Sequence, residues 1–171
     1  MSTSHLILGG AKSGKTSFGE QLALSLDAKP VYLATGQAFD DEMRKRIAAH
    51  QADRAQKFHT LEEPIDLVSA LEYARDLSGT ILVDCLTLWI SNLMLAEKSV
   101  PDEVSQLVHW VEGNDLTNLI LVSNEVGQGI VPDNKLAREF RDHAGIAHQR
   151  LAKACNKVTF ITAGLPHLLK G

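Results

Sequence analysis

The stretch from Leu6 to Thr16, LILGGAKSGKT, constrains this chain more than any other part of it. Leu6, Ile7 and Leu8 read as a short buried strand. It runs into Gly9, Gly10, Ala11, Lys12, Ser13, Gly14, Lys15 and Thr16, and an apolar-periodic segment follows. That is G-x-x-x-x-G-K-[ST] with a strand before it and a helix after it, the setting that gives the pattern meaning. Glycines let the backbone curl until successive N–H groups converge on phosphate oxygens. The helix behind adds its unpaired first-turn donors and the positive end of its dipole. Lys15 is placed to reach terminal phosphates, and the Thr16 hydroxyl suits Mg²⁺. Residues 9–16 are therefore expected to hold a nucleoside triphosphate.

The rest of the chain alternates strand and helix. Phe18, Leu22 and Leu26 recur at helical spacing, which predicts a first helix over 15–26. Pro30 opens a second strand, 31–34, broken by Thr35 and Gly36 at the end where ligands gather in open α/β sheets. A second helix is expected over 40–56, with Asp40, Asp41 and Glu42 at its positive end and Arg46, His50 and Arg54 along one face. Phe58 to Thr60 reads as a short extended piece. Glu62-Glu63-Pro64 reads as the start of a third helix that Gly79 ends. Thr80 to Asp84 is a continuous apolar run closing on a carboxylate, the form of a buried parallel strand. A helix over 86–96, a loop over 98–102 and a helix over 101–112 come next. The series ends with a buried strand over 119–122, a glycine-rich turn over 126–132, a long helix over 135–156 interrupted at Gly145, and a final strand over 158–162. This order predicts an α/β fold: a three-layer sandwich of the P-loop NTPase type, its mostly parallel sheet covered on both faces.

Composition narrows the class. With 171 residues, 44% of them apolar and 22% charged, the chain suits one domain, 1–171, with a sizeable core. A net charge of -4 argues against a nucleic-acid surface. Cys85 and Cys155 fall in or beside apolar segments without metal-ligand spacing, so buried reduced thiols are expected. The longest apolar stretch, 81–95, is interrupted by Asp84, Ser91 and Asn92, so no membrane span is expected. With the motif close behind Met1 no leader is expected, and a cytoplasmic enzyme or switch is the expectation.

Two further residues carry candidate chemistry. Asp84 is placed to hold Mg²⁺ beside Thr16; the alternative is an acid that caps the next helix. His50, between arginines, is either part of a solvated face or a nucleophile toward phosphorus, since a neutral imidazole is competent near pH 7. Glu125, also at a strand's end, is a weaker candidate for ordering water or substrate. His59, His109, His143, His148 and His167 read as surface or packing residues. A GTPase switch fits poorly: Ser123-Asn124-Glu125-Val126 stands where a guanine-reading Asn-Lys-x-Asp belongs, and no D-x-x-G follows Asp84.

With these residues laid out, the whole chain resembles the bifunctional adenosylcobinamide kinase / adenosylcobinamide-phosphate guanylyltransferase family. The matching pieces are GGAKSGKT at 9–16, YLATG at 32–36, DDEMRKRIAAHQADR at 40–54, TLEEP at 60–64, LVDCLTLWISNL at 82–93, SNEVGQGIVPDNKLAREFRDHAG at 123–145 and AGLP at 163–166. The resemblance implies phosphorylation of adenosylcobinamide by ATP or GTP. GMP then moves from GTP to that phosphate through a guanylylated histidine, which maps onto His50. It further implies nucleotide contacts at Ala34, Thr35, Gly36, Gln51, Ala52, Asp53, Arg54, Glu62 and Asp84, and a homotrimer. Lys12, Thr16, Phe58, His148 and His167 depart from the residues usual in the family, which bears on corrinoid fit more than on nucleotide chemistry. The readings left beside it are a P-loop kinase of another small metabolite and a non-catalytic nucleotide-gated module. Because His50 lies on a separate helix, that helix is expected to move toward the loop.

Overall fold

Apolar residues that alternate along five strands build this molecule from the inside. The computed structural model describes residues 2–37 and 54–171. Their elements are β1 Ser4–Gly9, α1 Lys15–Leu26, β2 Val31–Ala34, β3 His59–Glu62, α2 Leu67–Arg75, β4 Thr80–Asp84, α3 Leu86–Leu95, α4 Val100–Gly113, β5 Asn118–Asn124, α5 Lys135–Ala154, β6 Lys157–Thr162 and β7 Leu165–Lys170. The strands form one seven-stranded sheet in the order β3-β2-β4-β5-β1-β6-β7. All pairings are parallel except β6 with β7. The expected α/β sandwich is present.

Side chains alternate across a strand, so each strand feeds two cores. Leu6, Leu8, Val31, Leu33, Ile81, Val83, Leu119 and Leu121 join one cluster with Leu71, Trp89, Leu107 and Leu151 from α2 to α5. Ile7, Tyr32, Leu82, Ile120 and Val122 join the other, under α1. There α1 crosses close to the sheet. A Cβ on Gly19 would stand 3.1 Å from Val122 Cγ2 and 3.2 Å from Leu82 Cδ1.

Register brings the working ends together. Gly9 lies opposite Asn124 and Ile161, Ala34 opposite Asp84, and Asp84 opposite Val122. The loops after β1, β2, β4 and β5 therefore share one edge, where open parallel sheets bind ligands.

Several elements differ from expectation. The helix read from Glu62 starts at Leu67, because Glu62 is still strand and Pro64 holds Glu63 out of helical geometry. Glu63 instead accepts the N–H groups of Ile65 and Asp66, at 2.8 and 2.9 Å, and Asp66 caps the helix through Ser69 N–H. The same helix ends at Arg75, not Gly79. The expected loop over 98–102 is half helix: α4 begins at Val100, with Pro101 in the first turn where its missing N–H is harmless. Helix α5 runs unbroken through Gly145 and stops at Ala154. Finally β6 is not the last strand. β7 follows a tight turn at Ala163 and Gly164, both at positive φ, and forms an edge where Pro166 is tolerated. Lys170 Nζ then donates to the carbonyls of Ala152, Lys153 and Cys155, closing the carboxyl end of α5. The helix expected over 40–56 lies outside the described residues except at its end, where Arg54 is helical. Both cysteines are buried free thiols, as expected.

Candidate active site

The phosphate loop is shaped by its glycines. Gly14 sits at φ 95°, a left-handed conformation that side chains resist, and serves as N-cap of α1. No side chain caps that helix, so its first-turn N–H groups face the loop. Any Cβ on Gly9 would fall 2.5 Å from Ser13 Oγ and 2.7 Å from the Ile161 carbonyl oxygen. The β6–β7 turn props the loop from behind, Gly164 N–H donating to Ser13 O at 2.8 Å. Inside it the Ser13 hydroxyl is shielded from solvent and has no hydrogen-bond partner among the described residues.

Lys15 is buried, at 7% exposure, and folds back so that Nζ donates to Gly10 O at 2.9 Å. Its ammonium is thus held over the loop. Beside it Thr16 Oγ1 donates to Asp84 Oδ2 at 3.0 Å, across 68 positions of sequence. The alternative reading of Asp84 fails: α3 has Cys85 at its N-cap and no side-chain cap. Hard oxygen donors are what Mg²⁺ takes, commonly one or two protein oxygens completed by substrate phosphates, so the Thr16–Asp84 pair fits that ion. Among the described residues no three His, Cys, Asp or Glu side chains gather into a metal-binding group.

The same carboxylate oxygen accepts a second bond, from Tyr32 OH at 2.6 Å. Burial and then the Asp84 charge push the Tyr32 phenol well above its ordinary range, so it remains a donor. Over its ring, 4.0 Å from the centroid, lies the Arg54 guanidinium, whose Nε donates to Glu20 Oε1 at 2.6 Å. The line Glu20–Arg54–Tyr32–Asp84–Thr16 ties α1, β2 and β4 together. Neither Tyr32 nor Glu20 was expected here. The available signal was a phenol in the strand Val31-Tyr32-Leu33-Ala34, on the face opposite its two apolar flanks.

Thr35 is a strut. It is fully buried, accepts Cys85 N–H at 3.0 Å and donates to Cys85 O at 2.7 Å. Asn92 Nδ2 in turn donates to Thr35 O at 2.7 Å. Ala34 and Gly36 flank it at the same edge, and Glu62 ends β3 opposite Ala34. On the other side Asn124 donates to Thr87 Oγ1 at 2.9 Å, and Glu125 N–H donates to Gly9 O at 2.9 Å. His50, Gln51, Ala52 and Asp53 lie outside the described residues. His148 is a packing residue, its Nε2 2.7 Å from Ser123 Oγ and its pKa lowered chiefly by burial.

Residues 5–169 match the family described as cobinamide kinase / cobinamide phosphate guanyltransferase. The chain belongs to that family. Its activities are those the family description names, phosphorylation of cobinamide and guanylyl transfer to cobinamide phosphate, and they place it in cobalamin biosynthesis. The bifunctional adenosylcobalamin biosynthesis protein CobP of Pseudomonas aeruginosa is 45% identical over 168 residues, 97% of this chain and 96% of that protein. The protein CobU of Salmonella typhimurium, similarly described, is 38% identical over 94% of this chain and 96% of its own. Among solved structures, the flagellar accessory protein FlaH from Methanocaldococcus jannaschii superposes with TM-score 0.54 at 12% identity, covering 98% of this chain and 78% of its own. A KaiC-like protein from Pyrococcus horikoshii gives 0.51 at 14% identity, over 92% of this chain and 71% of its own. At such identity they speak for the fold alone.

Proposed function

We propose that this family member acts as one catalytic domain that phosphorylates adenosylcobinamide with ATP or GTP. It then moves GMP from GTP, through a guanylylated His50, onto the phosphate just formed, releasing pyrophosphate and adenosylcobinamide-GDP. The observation that carries the nucleotide half is the Thr16–Asp84 contact beside the Lys15 ammonium. Backbone N–H groups of residues 9–16 cradle the phosphates, and Lys15 balances charge that spreads over the γ-phosphoryl oxygens as the acceptor hydroxyl attacks. Thr16 and Asp84 would hold Mg²⁺, which when bound neutralises charge on the β- and γ-oxygens. Tyr32 fixes the Asp84 carboxylate, and Arg54 and Glu20 fix Tyr32. Ala34, Thr35, Gly36, Glu62 and residues 51–54 complete the nucleotide's surroundings.

In the second transfer an imidazole nitrogen of His50 attacks the α-phosphorus of GTP and pyrophosphate leaves. An oxygen of the corrinoid phosphate then attacks the phosphorus of that phosphoramidate, the P–N bond breaks, and the His50 imidazole leaves as the GMP moiety passes to the corrinoid phosphate. Two half-reactions let one centre handle two bulky anionic substrates in turn. Attack needs the nitrogen within about 3–3.5 Å of phosphorus, which is why the segment carrying His50 is expected to close on the loop. The full enzyme is read as a cytoplasmic homotrimer. Leu165, Leu168 and Leu169 stand exposed on the β7 edge, apolar surface of the kind an assembly of chains covers.

The experiment is incubation with GTP labelled at the α-phosphate. Acid-labile, base-stable label that survives in His59→Ala and vanishes in His50→Ala supports the assignment. Label kept by His50→Ala removes His50 from the chemistry and points to another nucleophile. A solution mass of one chain would end the trimer reading.

A further inference from the structure

The edge of the sheet holds a second feature, on the far side of the phosphate loop from Arg54. Ala11, Thr87, Leu88, Asn124, Glu125 and Phe140 line an open cavity of about 370 Å³. Past Ser91 and Phe140 it continues into a smaller hollow of about 230 Å³ walled by Met94, Leu95 and Leu136. One end is polar and touches the loop; the remainder is apolar. We propose that this trough receives the cobinamide acceptor, with its hydroxyl arm at Glu125 and its apolar body along Leu88, Phe140 and Leu136. The proposal rests on the kinase reading above and adds to it the acceptor's place and its proton acceptor.

The geometry points there for three reasons. Lys15 Nζ sits on Gly10 O, so the terminal phosphate that Lys15 reaches ends beside Gly10 and Ala11, and Ala11 is the residue that opens the trough. That side faces away from the Thr16–Asp84 pair, which in this reading is taken up by the metal. Second, the trough's polar end is built rather than incidental. Asn124 is tied to Thr87 at 2.9 Å, and Glu125 is tied by its N–H to Gly9 O at 2.9 Å. Third, Asp84 and Glu125, at the ends of the neighbouring strands β4 and β5, differ in what they already hold. Among the described residues, Asp84 Oδ2 already takes hydrogen bonds from Thr16 and Tyr32, whereas Glu125 receives one at Oε1, from Gly127 N–H at 2.6 Å. Glu125 is the carboxylate placed to take a proton from an incoming hydroxyl, as an aspartate does in other kinases. In that step the acceptor O–H breaks and its proton passes to Glu125 Oε2. The oxygen bonds to the γ-phosphorus, and the bond from that phosphorus to the β–γ bridging oxygen breaks, leaving nucleoside diphosphate. A cavity this size takes an arm of so large an acceptor and one flank of its ring, not the whole molecule.

The test is steady-state phosphorylation of adenosylcobinamide by the full-length enzyme with saturating GTP. Glu125→Gln is expected to lower kcat about a hundredfold or more with the KM for cobinamide within about threefold, and Glu125→Asp to restore part of it. Leu88→Glu and Phe140→Ala are each expected to raise the KM for cobinamide about tenfold while kcat stays within about threefold. A Glu125→Gln enzyme within about threefold of wild-type kcat overturns the proton role. Leu88 and Phe140 variants that change only the solution mass and leave the cobinamide KM alone overturn the trough and make that face a contact between copies. Wild-type enzyme that phosphorylates no cobinamide overturns the kinase reading itself, and this inference with it.

Discussion

The two faces of the sheet are built differently. One is covered by α2, α3, α4 and α5 and packs Trp89, Leu93, Leu107 and Leu151 against alternate residues of β1, β2, β4 and β5. The other is covered, among the described residues, by α1 and by Phe58, and its cluster is much smaller. Polar and aromatic side chains meet on this second face. Tyr32 belongs to that cluster, Arg54 lies on its ring, and Phe58 meets it edge-on at 5.8 Å. A thick apolar layer anchors the strands whose tips must hold still. On the other face polar side chains reach the strand tips, where Tyr32 OH meets Asp84 Oδ2 and Arg54 meets Glu20. The difference teaches that, among the described residues, the larger apolar core lies under α2 to α5, while a chain of polar contacts from Glu20 through Arg54 and Tyr32 to Asp84 and Thr16 runs along the face under α1.

That division can be broken or sharpened by substitution. The largest effect belongs to Lys15→Ala: cobinamide phosphorylation should fall about a thousandfold or more while the unfolding midpoint in urea moves little, because Lys15 acts on charge and not on packing. Undiminished turnover would refute the site as drawn. Trp89→Ala is the mirror case. It removes a fully buried ring and its 2.8 Å bond to Ile65 O, and should cost about 3–5 kcal/mol in equilibrium unfolding, with turnover per folded molecule retained. Gly19→Val tests the joint between the faces. A side chain there must push α1 off Val122 and Leu82, which should cost about 1–3 kcal/mol and also lower kcat, because α1 carries Lys15 and Thr16. Loss of stability without any loss of kcat would show the two faces to be uncoupled.

The smallest effect is on acidification. His148 and His5 are both held below their ordinary value of 6.5, chiefly by burial, so the unfolded chain binds protons that the folded chain does not. Lys157 adds to the shift at His5, while Glu125 opposes it at His148. Stability is therefore complete above the unfolded value and declines as pH falls through 6.5 toward the folded values, by at most about 1.4 kcal/mol per pH unit for each histidine. Urea unfolding at successive pH values should show that slope, and His148→Asn should flatten it. An unchanged slope would assign the effect elsewhere.

Much of this was legible beforehand for a stated reason. A buried parallel strand must be a continuous apolar run, so β1, β4 and β5 announce themselves, and the glycine pattern before α1 leaves few folds open. β7 gave no such signal. Its six residues are all exposed, carry a proline and owe their pairing to β6, so nothing in their own pattern marks a strand. The start of α2 is hidden because acidic residues before an apolar run look like a helix entry, when Glu63 instead satisfies a turn.

The order of residues by itself determined the phosphate loop, the acid at the tip of β4, the alternation that makes a sheet with two cores, and the family. Those are local patterns, carried by neighbours or by fixed periods along the chain. Only the tertiary structure decided that Tyr32 reaches Asp84 across 52 positions and that Arg54 reaches Glu20 across 34. It alone committed the Thr35 hydroxyl to Cys85 and placed Glu125 in a trough beside Ala11. A side chain's partner across the sheet depends on strand order and register, and no spacing along the chain encodes either.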